Sequence, residues 1–370
     1  MSTRVLCIFS NLLGNRAAAA RCARILDSWP ELDPTYVYVG PDDYRALKAP
    51  WLARATNPWH SQFLARTKAK PVVNLPFDLL LVNSWEFVVA FRRLARRMPS
   101  AVLLDSVPAT IDAQRRRQGY GDWKRWLSHQ VHHRQFARAA RSFRVFLAMG
   151  SDCVTALERD YGIEPGLCFQ TLVPQDLQQW NAAGREYRAP MKLLFAGNDF
   201  ERKGGDFLLR LYADYLVGTC RLTIASNAPS VAARTLPHGV EWLRCKNPAE
   251  MLAVYRAHDV FLLPTRQDYM PQVLGEALAT GLPCLASDVG GIRDIVRDGE
   301  NGFLMPPNAP GSAWATRLRN LAANPAEILR LSAGARRFAE AKLGMDRFEG
   351  LLRQTIDTLR SVAAEPTSHS

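Results

Sequence analysis

The chain has 370 residues, 48% apolar and 22% charged, with 47 Lys and Arg against 35 Asp and Glu for a formal net charge of +12. Those values exclude wholesale disorder, and the length suits two domains better than one or four. No run approaches the roughly 18 apolar residues of a membrane span; the best candidate, residues 75–91, is broken by Asp78, Asn83, Ser84 and Glu86.

Short apolar runs alternate with helix-like stretches along the chain. Residues 4–9 read as a strand and residues 17–26 as an alanine- and arginine-rich helix. The first run is too short for a secretory signal and is followed at once by Gly14 and Arg16, so the cytoplasm is the expected compartment. Strands are predicted over 35–39, 79–82, 101–104 and 145–148, and a helix over 153–161.

Most of the excess of positive over negative charge lies in residues 92–144, which hold 13 basic and 3 acidic positions. Trp123, Trp126, Leu127 and Val131 follow one another there at helical spacing. A basic helix with tryptophans suits an anionic membrane face, and the same charge suits an acidic substrate. A solvated arginine-rich surface over core tryptophans accounts for it equally well. Nucleic acid is set aside, because no nucleic-acid-binding motif accompanies the charge.

The polar run over 181–190, NAAGREYRAP, reads as a linker. Beyond it the pattern restarts, with strands over 193–195, 221–225, 260–263 and 283–286 and helices over 205–215, 248–257, 273–279 and 292–296. This alternation predicts an α/β protein of two doubly wound domains, residues 1–185 and 190–345, each a parallel sheet covered on both faces. A C-terminal helix over 346–364 is expected to pack back on the first domain, and 365–370 to form a disordered tail. Such sheets bind ligands beyond the carboxyl ends of their strands, which places the expected site in a cleft between the domains. The seven cysteines are scattered singly and the cluster His129, His132 and His133 sits among arginines, so neither a disulfide framework nor a metal site is expected.

Two segments carry chemistry. In FAGNDFERKGGDFLLRL, residues 195–211, a strand ends at Gly197, a polar turn begins at Asn198, and Arg202, Lys203 and two glycines open onto a helix. Close backbone approach, a helix N-terminus and two cations make a grip for a diphosphate, although a bare turn explains the same residues and P-loop spacing is absent. In residues 261–307 a strand runs into Pro264, a loop carries Asp268, Met270 and Pro271, and a helix carries Glu276. Loop and helix let the two acids face one ligand from two directions, with the amides of Gln272, Val273 and Leu274 turned to the loop mouth. Gly290 and Gly291 open a further helix. In the first domain Gly14, Arg16, Glu86 and Asp105 stand at strand ends as acceptor-side candidates, where a turn or cap serves as well.

This second block resembles the nucleotide-sugar-binding half of the GT-B glycosyltransferases, specifically the retaining enzymes of family 4. The residues that carry the resemblance are Asp268 and Glu276 with seven positions between them, then Glu276-Ala277-Leu278-Ala279-Thr280-Gly281-Leu282-Pro283, then Gly290-Gly291, together with the turn at Lys203-Gly204. It is specific over 191–307 and fainter over 145–180, where Ser151 and Val173-Pro174 are similar to the family's domain-crossing segment; in the first domain it is confined to residues 10–14.

The resemblance implies a GT-B fold of two Rossmann-like domains facing a cleft. It implies a retaining, metal-independent transfer from a nucleotide-diphosphate sugar, with no other cofactor, to a glycan or lipid-linked acceptor in cell-surface polysaccharide or lipopolysaccharide synthesis. The acceptor would be met by the basic first domain at the inner face of the plasma membrane. Glu276 would hold the ribose and Asp268 the sugar hydroxyls, while the amides of residues 271–274 cradle the distal phosphate. Lys203, helped by Arg202, would neutralise the leaving diphosphate, with Gly197, Asn198 and Met270 lining the donor. The chain departs from the family pattern at Asp268, where Glu is more frequent, and at Asn198, where an arginine often stands. It departs again at Leu13-Gly14-Asn15 and at Asp105-Ser106, where relatives place a Gly-Gly loop and a histidine. A nucleotide-sugar hydrolase or epimerase on the same fold, and a non-catalytic binding protein, are the rival readings.

Overall fold

The computed structural model describes residues 2–46, 58–117, 123–182, 184, 186–232 and 234–364. Residues 123–128 are described by their backbone alone, so the tryptophan side chains of the basic stretch lie outside the described residues, as does the tail 365–370. The chain divides into two compact units, Met1–Thr171 with Phe348–Ser370, and Leu172–Arg347.

The first unit runs β1 (Thr3–Ser10), α1 (Leu13–Asp27), β2 (Leu32–Val39), α2 (Pro41–Ala46), α3 (Pro58–Ala69), β3 (Leu79–Asn83), α4 (Trp85–Ala95), β4 (Ser100–Leu104), α5 (Pro108–Arg117), α6 (Trp123–Ala140), β5 (Val145–Ala148), α7 (Ser151–Tyr161) and β6 (Cys168–Gln170). Its six strands are all parallel in the order β2-β1-β3-β4-β5-β6. Continuous apolar runs such as Val5–Phe9 and Leu79–Val82 are almost wholly buried, as strands covered on both faces must be. On α4, Phe87, Val88, Phe91 and Leu94 recur at helical spacing and bury one face against the sheet core.

The second unit runs β7 (Met191–Ala196), α8 (Gly205–Tyr215), β8 (Cys220–Ala225), α9 (Pro229–Ala232), β9 (Val240–Leu243), α10 (Pro248–Arg256), β10 (Val260–Leu263), α11 (Gln272–Ala279), β11 (Cys284–Ser287), α12 (Ile292–Ile295), β12 (Gly302–Met305), α13 (Gly311–Ala322) and α14 (Pro325–Lys342). Its parallel order, β12-β11-β10-β7-β8-β9, puts β7 and β10 side by side where the winding reverses. Asn247 and Asn324 start α10 and α14 by accepting a hydrogen bond from the amide three residues on.

The last helix, α15 (Met345–Ala364), packs on the first unit. Trp29 Nε1 donates to Glu349 Oε1 at 3.0 Å, Arg353 lies 4.2 Å above the Trp29 ring, and Arg360 donates to Thr3 Oγ1 at 2.9 Å. Residues 172–190 go with the second unit, not with residues 1–171: Gln175 donates its N–H to Leu343 O, and Trp180 meets Tyr255 edge-on at 5.8 Å.

Candidate functional site

Ligands of doubly wound sheets sit at the carboxyl ends of the strands where the winding reverses. In the second unit that point lies between β7 and β10, and the loops leaving these two strands carry Gly197, Arg202, Lys203 and Asp268. The loops are clasped together: the Arg266 N–H donates to Arg202 O at 3.1 Å, and the Thr265 hydroxyl donates to the same oxygen at 3.3 Å. Gly204, at φ +82°, lies so near that a Cβ there would stand 1.9 Å from Pro264 O. Only glycine satisfies both the left-handed turn and the contact.

The turn aims its cations at one carboxylate. Lys203 runs across Gly197, where a Cβ would meet Lys203 Cδ at 2.4 Å. Its Nζ reaches Asp268 Oδ2 at 2.8 Å. Arg202 Nη1 stands 3.4 Å from the same oxygen and its Nε 2.6 Å from Asp199 Oδ2. Lys203 and Asp268 are only 12% and 13% exposed, so solvent screens their pair weakly. Partial burial works against the Arg202 charge, and Asp268 and Asp199 more than offset it, holding its proton more firmly than usual. Asn198 is exposed and its Oδ1 accepts the Asn227 N–H at 2.9 Å, which ties the turn to the segment after β8.

Glu276 projects from α11, and Tyr255 on α10 donates its hydroxyl to Glu276 Oε2 at 2.9 Å. Burial lifts the Tyr255 phenol well above its ordinary range and the Glu276 charge adds to the lift, so the hydroxyl stays a donor. The helix begins at Gln272, with buried Pro271 as its extended N-cap and buried Met270 before it. Of the amides expected to cradle a phosphate, Pro271 has no N–H, and that of Leu274 is donated to Pro271 O at 3.2 Å. The other two N–H groups of this turn belong to Gln272 and Val273.

Gly290 and Gly291 serve the loop rather than a helix terminus of any length, since α12 has four residues. A Cβ at Gly290, φ +55°, would lie 2.2 Å from Asp268 O, and Gly291 N–H donates to Tyr269 O at 2.8 Å. The Gly-Gly step thus backs the acidic loop. Sequence reasoning missed Tyr255, which reads there as one more apolar position of a helix, and missed this backing.

In the first unit the winding reverses between β1 and β3. Asn83 closes the gap, accepting the Ser10 N–H on Oδ1 at 2.5 Å and donating Nδ2 to Ser10 O at 3.3 Å. Gly14 falls in the first turn of α1, and Arg16, one residue further along than Asn15, is exposed. Glu86 opens α4 behind Ser84, a non-glycine residue at φ +78° whose hydroxyl donates to Glu86 Oε2. Burial raises the Glu86 carboxyl to about 7; Ser84 opposes the shift, and the charge of Asp105, beyond β4, adds to it. The Asp105 side chain accepts from the Ser106 hydroxyl at 3.0 Å. His129 and His133 flank Asp112 at 2.9 and 3.2 Å. Among the described residues no group of three or more His, Cys, Asp or Glu is placed to hold a metal, and no helix is long and apolar enough to cross a membrane.

Two doubly wound Rossmann-like units, with a cation turn and two carboxylates at the reversal point of the second, define a GT-B fold. Residues 190–324 match the family described as Glycosyl transferases group 1, and the resemblance to GT-B glycosyltransferases of the family 4 kind stands. A D-inositol 3-phosphate glycosyltransferase of Thermomonospora curvata is 33% identical over 196 residues, covering 46% of this chain and 44% of the relative. The chain spans about half the length of the curated relatives it matches. Among solved structures, a sucrose-phosphate synthase from Thermosynechococcus elongatus superposes with a TM-score of 0.76 at 14% identity, over 97% of this chain and all of that one. HepE of Anabaena, solved in complex with UDP, gives 0.71 at 13% identity, over 96% of this chain and all of that one.

Proposed function

We propose that this chain is a retaining, metal-independent glycosyltransferase that moves a sugar from a nucleotide diphosphate to a glycan or lipid-linked acceptor in cell-surface polysaccharide or lipopolysaccharide synthesis. The observation that carries the reading is the convergence of Lys203 and Arg202 on Asp268 at the β7–β10 reversal, with Glu276 on the next helix. As a glycosyl bond to phosphate breaks, negative charge gathers on the departing oxygen and positive character on the sugar. Fixed cations beside that oxygen stabilise the charge, each good donor lowering the barrier by about 3–4 kcal/mol.

In this reading Lys203 and Arg202 take the diphosphate and Asp268 turns to the sugar hydroxyls. Glu276, steadied by Tyr255, takes the ribose, and the Gln272 and Val273 amides meet the distal phosphate. Gly197, Asn198 and Met270 line the donor, and no cofactor beyond it takes part. The fold neighbour from Anabaena has been solved with UDP and with UDP-glucose, which supports a nucleotide-sugar donor. Gly14, Arg16, Glu86 and Asp105 are the acceptor-side residues of this proposal. In this reading the enzyme works in the cytoplasm at the anionic inner face of the plasma membrane, which the charge of the basic stretch 92–144 supports, without a role for nucleic acid.

Thermal unfolding with UDP, GDP and ADP tests the donor half. A nucleotide at about 100 times its Kd adds about 2.7 kcal/mol of stability, and three flat curves at millimolar nucleotide would end the proposal. Product analysis by NMR with and without acceptor separates transfer from hydrolysis, and the anomeric coupling reads retention directly.

A further inference from the structure

Between α3, α4 and α6 the first unit has a groove of about 900 Å3, large enough for a sizeable ligand. Among the described residues five cations line it, Arg66, Lys70, Arg92, Arg93 and Arg97, and no acidic residue does. Arg66 Nε donates to Ala90 O at 3.1 Å, which holds its guanidinium against α4. Partial burial, then the charges of Arg92 and Arg93, push its proton affinity below the ordinary value. Packing therefore keeps like charges together without a counter-ion among the lining residues. Gln62, 4% exposed, also lines the groove, and its Nε2 donor has no hydrogen-bond partner among the described residues. A buried donor of this kind is costly to leave unmade.

The remaining wall carries an apolar strip, Val73, Val89 and Leu94, with the polar Asn74 and Gln135 beside it. At the rim, Trp59 and Phe63, one turn apart on α3, are 49% and 57% exposed. A bare inorganic anion gains nothing from two exposed aromatics beside the cations. A lipid does, because aromatic side chains favour the interface of a bilayer.

We propose that the groove seats an anionic membrane phospholipid, its phosphate on Arg66, Arg92 and the Gln62 amide, its chains along the apolar wall, and Trp59 and Phe63 in the bilayer interface. This sharpens the membrane part of the proposed function, on which it rests, and is independent of the donor site.

The test is co-sedimentation of the full chain with vesicles of equal parts phosphatidylglycerol and phosphatidylcholine, against vesicles of phosphatidylcholine alone. The groove variant Arg66→Gln/Arg92→Gln/Arg93→Gln should bind the anionic vesicles at least ~10-fold more weakly. A control of equal charge loss in the same basic stretch, Arg138→Gln/Arg141→Gln/Arg144→Gln, should lose less than ~3-fold. Trp59→Ser/Phe63→Ser, which keeps every charge and alters only exposed side chains, should also lose ~10-fold or more. Equal weakening in the two charge variants, or unchanged binding by the groove variant, would overturn the groove while leaving membrane binding intact, and displacement from the vesicles by millimolar inorganic phosphate would overturn the lipid as its occupant. Indifference of the wild-type chain to phosphatidylglycerol would overturn both. The nucleotide-induced melting shift, measured on the same proteins, reports the donor half separately.

Discussion

Lys203 Nζ stands 2.8 Å from Asp268 Oδ2, although 64 residues separate the two in the chain. The pair spans the one point where two adjacent strands of the sheet send their chains in opposite directions. In the proposed transfer an incoming diphosphate would be met by an ammonium already fixed in place, and the carboxylate it leaves would turn to the neighbouring sugar.

Replacing that ammonium separates charge from packing. The Lys203→Met variant keeps the aliphatic stem across Gly197, while Asp268 retains Arg202 at 3.4 Å. Turnover should fall by about 10²–10³-fold, with unfolding changed by no more than about 1–3 kcal/mol. Steady-state kinetics with the donor that shifts the melting curve provide the check; full activity would remove Lys203 from the chemistry.

Tyr255→Phe deletes only the hydroxyl that steadies Glu276, since the ring still packs on Trp180 and Phe261. The expected cost is about 0.5–1.5 kcal/mol of stability. Nucleotide affinity should weaken by up to about 10-fold, while kcat at saturating donor holds. Calorimetric titration reads the affinity, and an unchanged Kd would show that Glu276 needs no such support.

Two glycines of similar backbone conformation make a controlled comparison. Gly204 and Gly218 have φ of +82° and +77°, but a Cβ meets Pro264 O at 1.9 Å in the first and nothing within 4 Å in the second. Gly218→Ala should cost only the conformational penalty of about 1–2 kcal/mol. Gly204→Ala must also push two clasped loops apart, so it should lose clearly more stability and the nucleotide-induced melting shift with it. Equal costs in urea unfolding would contradict the clasp.

Glu86 sets a pH dependence. Its carboxyl is raised from the ordinary 4.5 to about 7 in the folded protein, chiefly by burial. Below about pH 4.5 folded and unfolded chains both hold the proton and the group has no effect. Between about 4.5 and 7 the unfolded chain releases it first, so stability falls as pH rises, and the loss is complete above about 7. Glu86→Gln should remove this fall, its advantage over wild type growing across that window in urea titrations. A constant difference from pH 4 to 8 would show an unshifted carboxyl.

What the sequence showed follows from how strongly each element is written in it. Strands with continuous apolar runs, such as 79–82 and 260–263, were legible because burial on both faces leaves no polar position to blur them. The three- and four-residue strands β6, β9 and β12 escaped the alternation, β6 and β9 being half-exposed edges. Helix α3 escaped too, because exposed Trp59 and Phe63 stand beside buried Leu64 and Ala65 and spoil its apolar stripe. At the site, Lys203, Asp268 and Glu276 were legible through their motif. The Tyr255 contact was not, since 20 residues and a strand intervene and no local pattern announces a hydroxyl turned inward. The amide row over 271–274 was over-read: proline has no N–H, and helix geometry consumes the one at Leu274.

Helix α15 is written after the whole of the second unit yet docks on the first, against Trp29, Glu31 and Thr3. The second unit is therefore an insertion within the first. During synthesis it can finish folding while its neighbour still waits for a missing wall, and a nascent first lobe must keep the surface around Trp29 uncovered until the ribosome delivers that helix. Chaperone dependence and sensitivity to C-terminal tags should accordingly fall on the lobe made earliest.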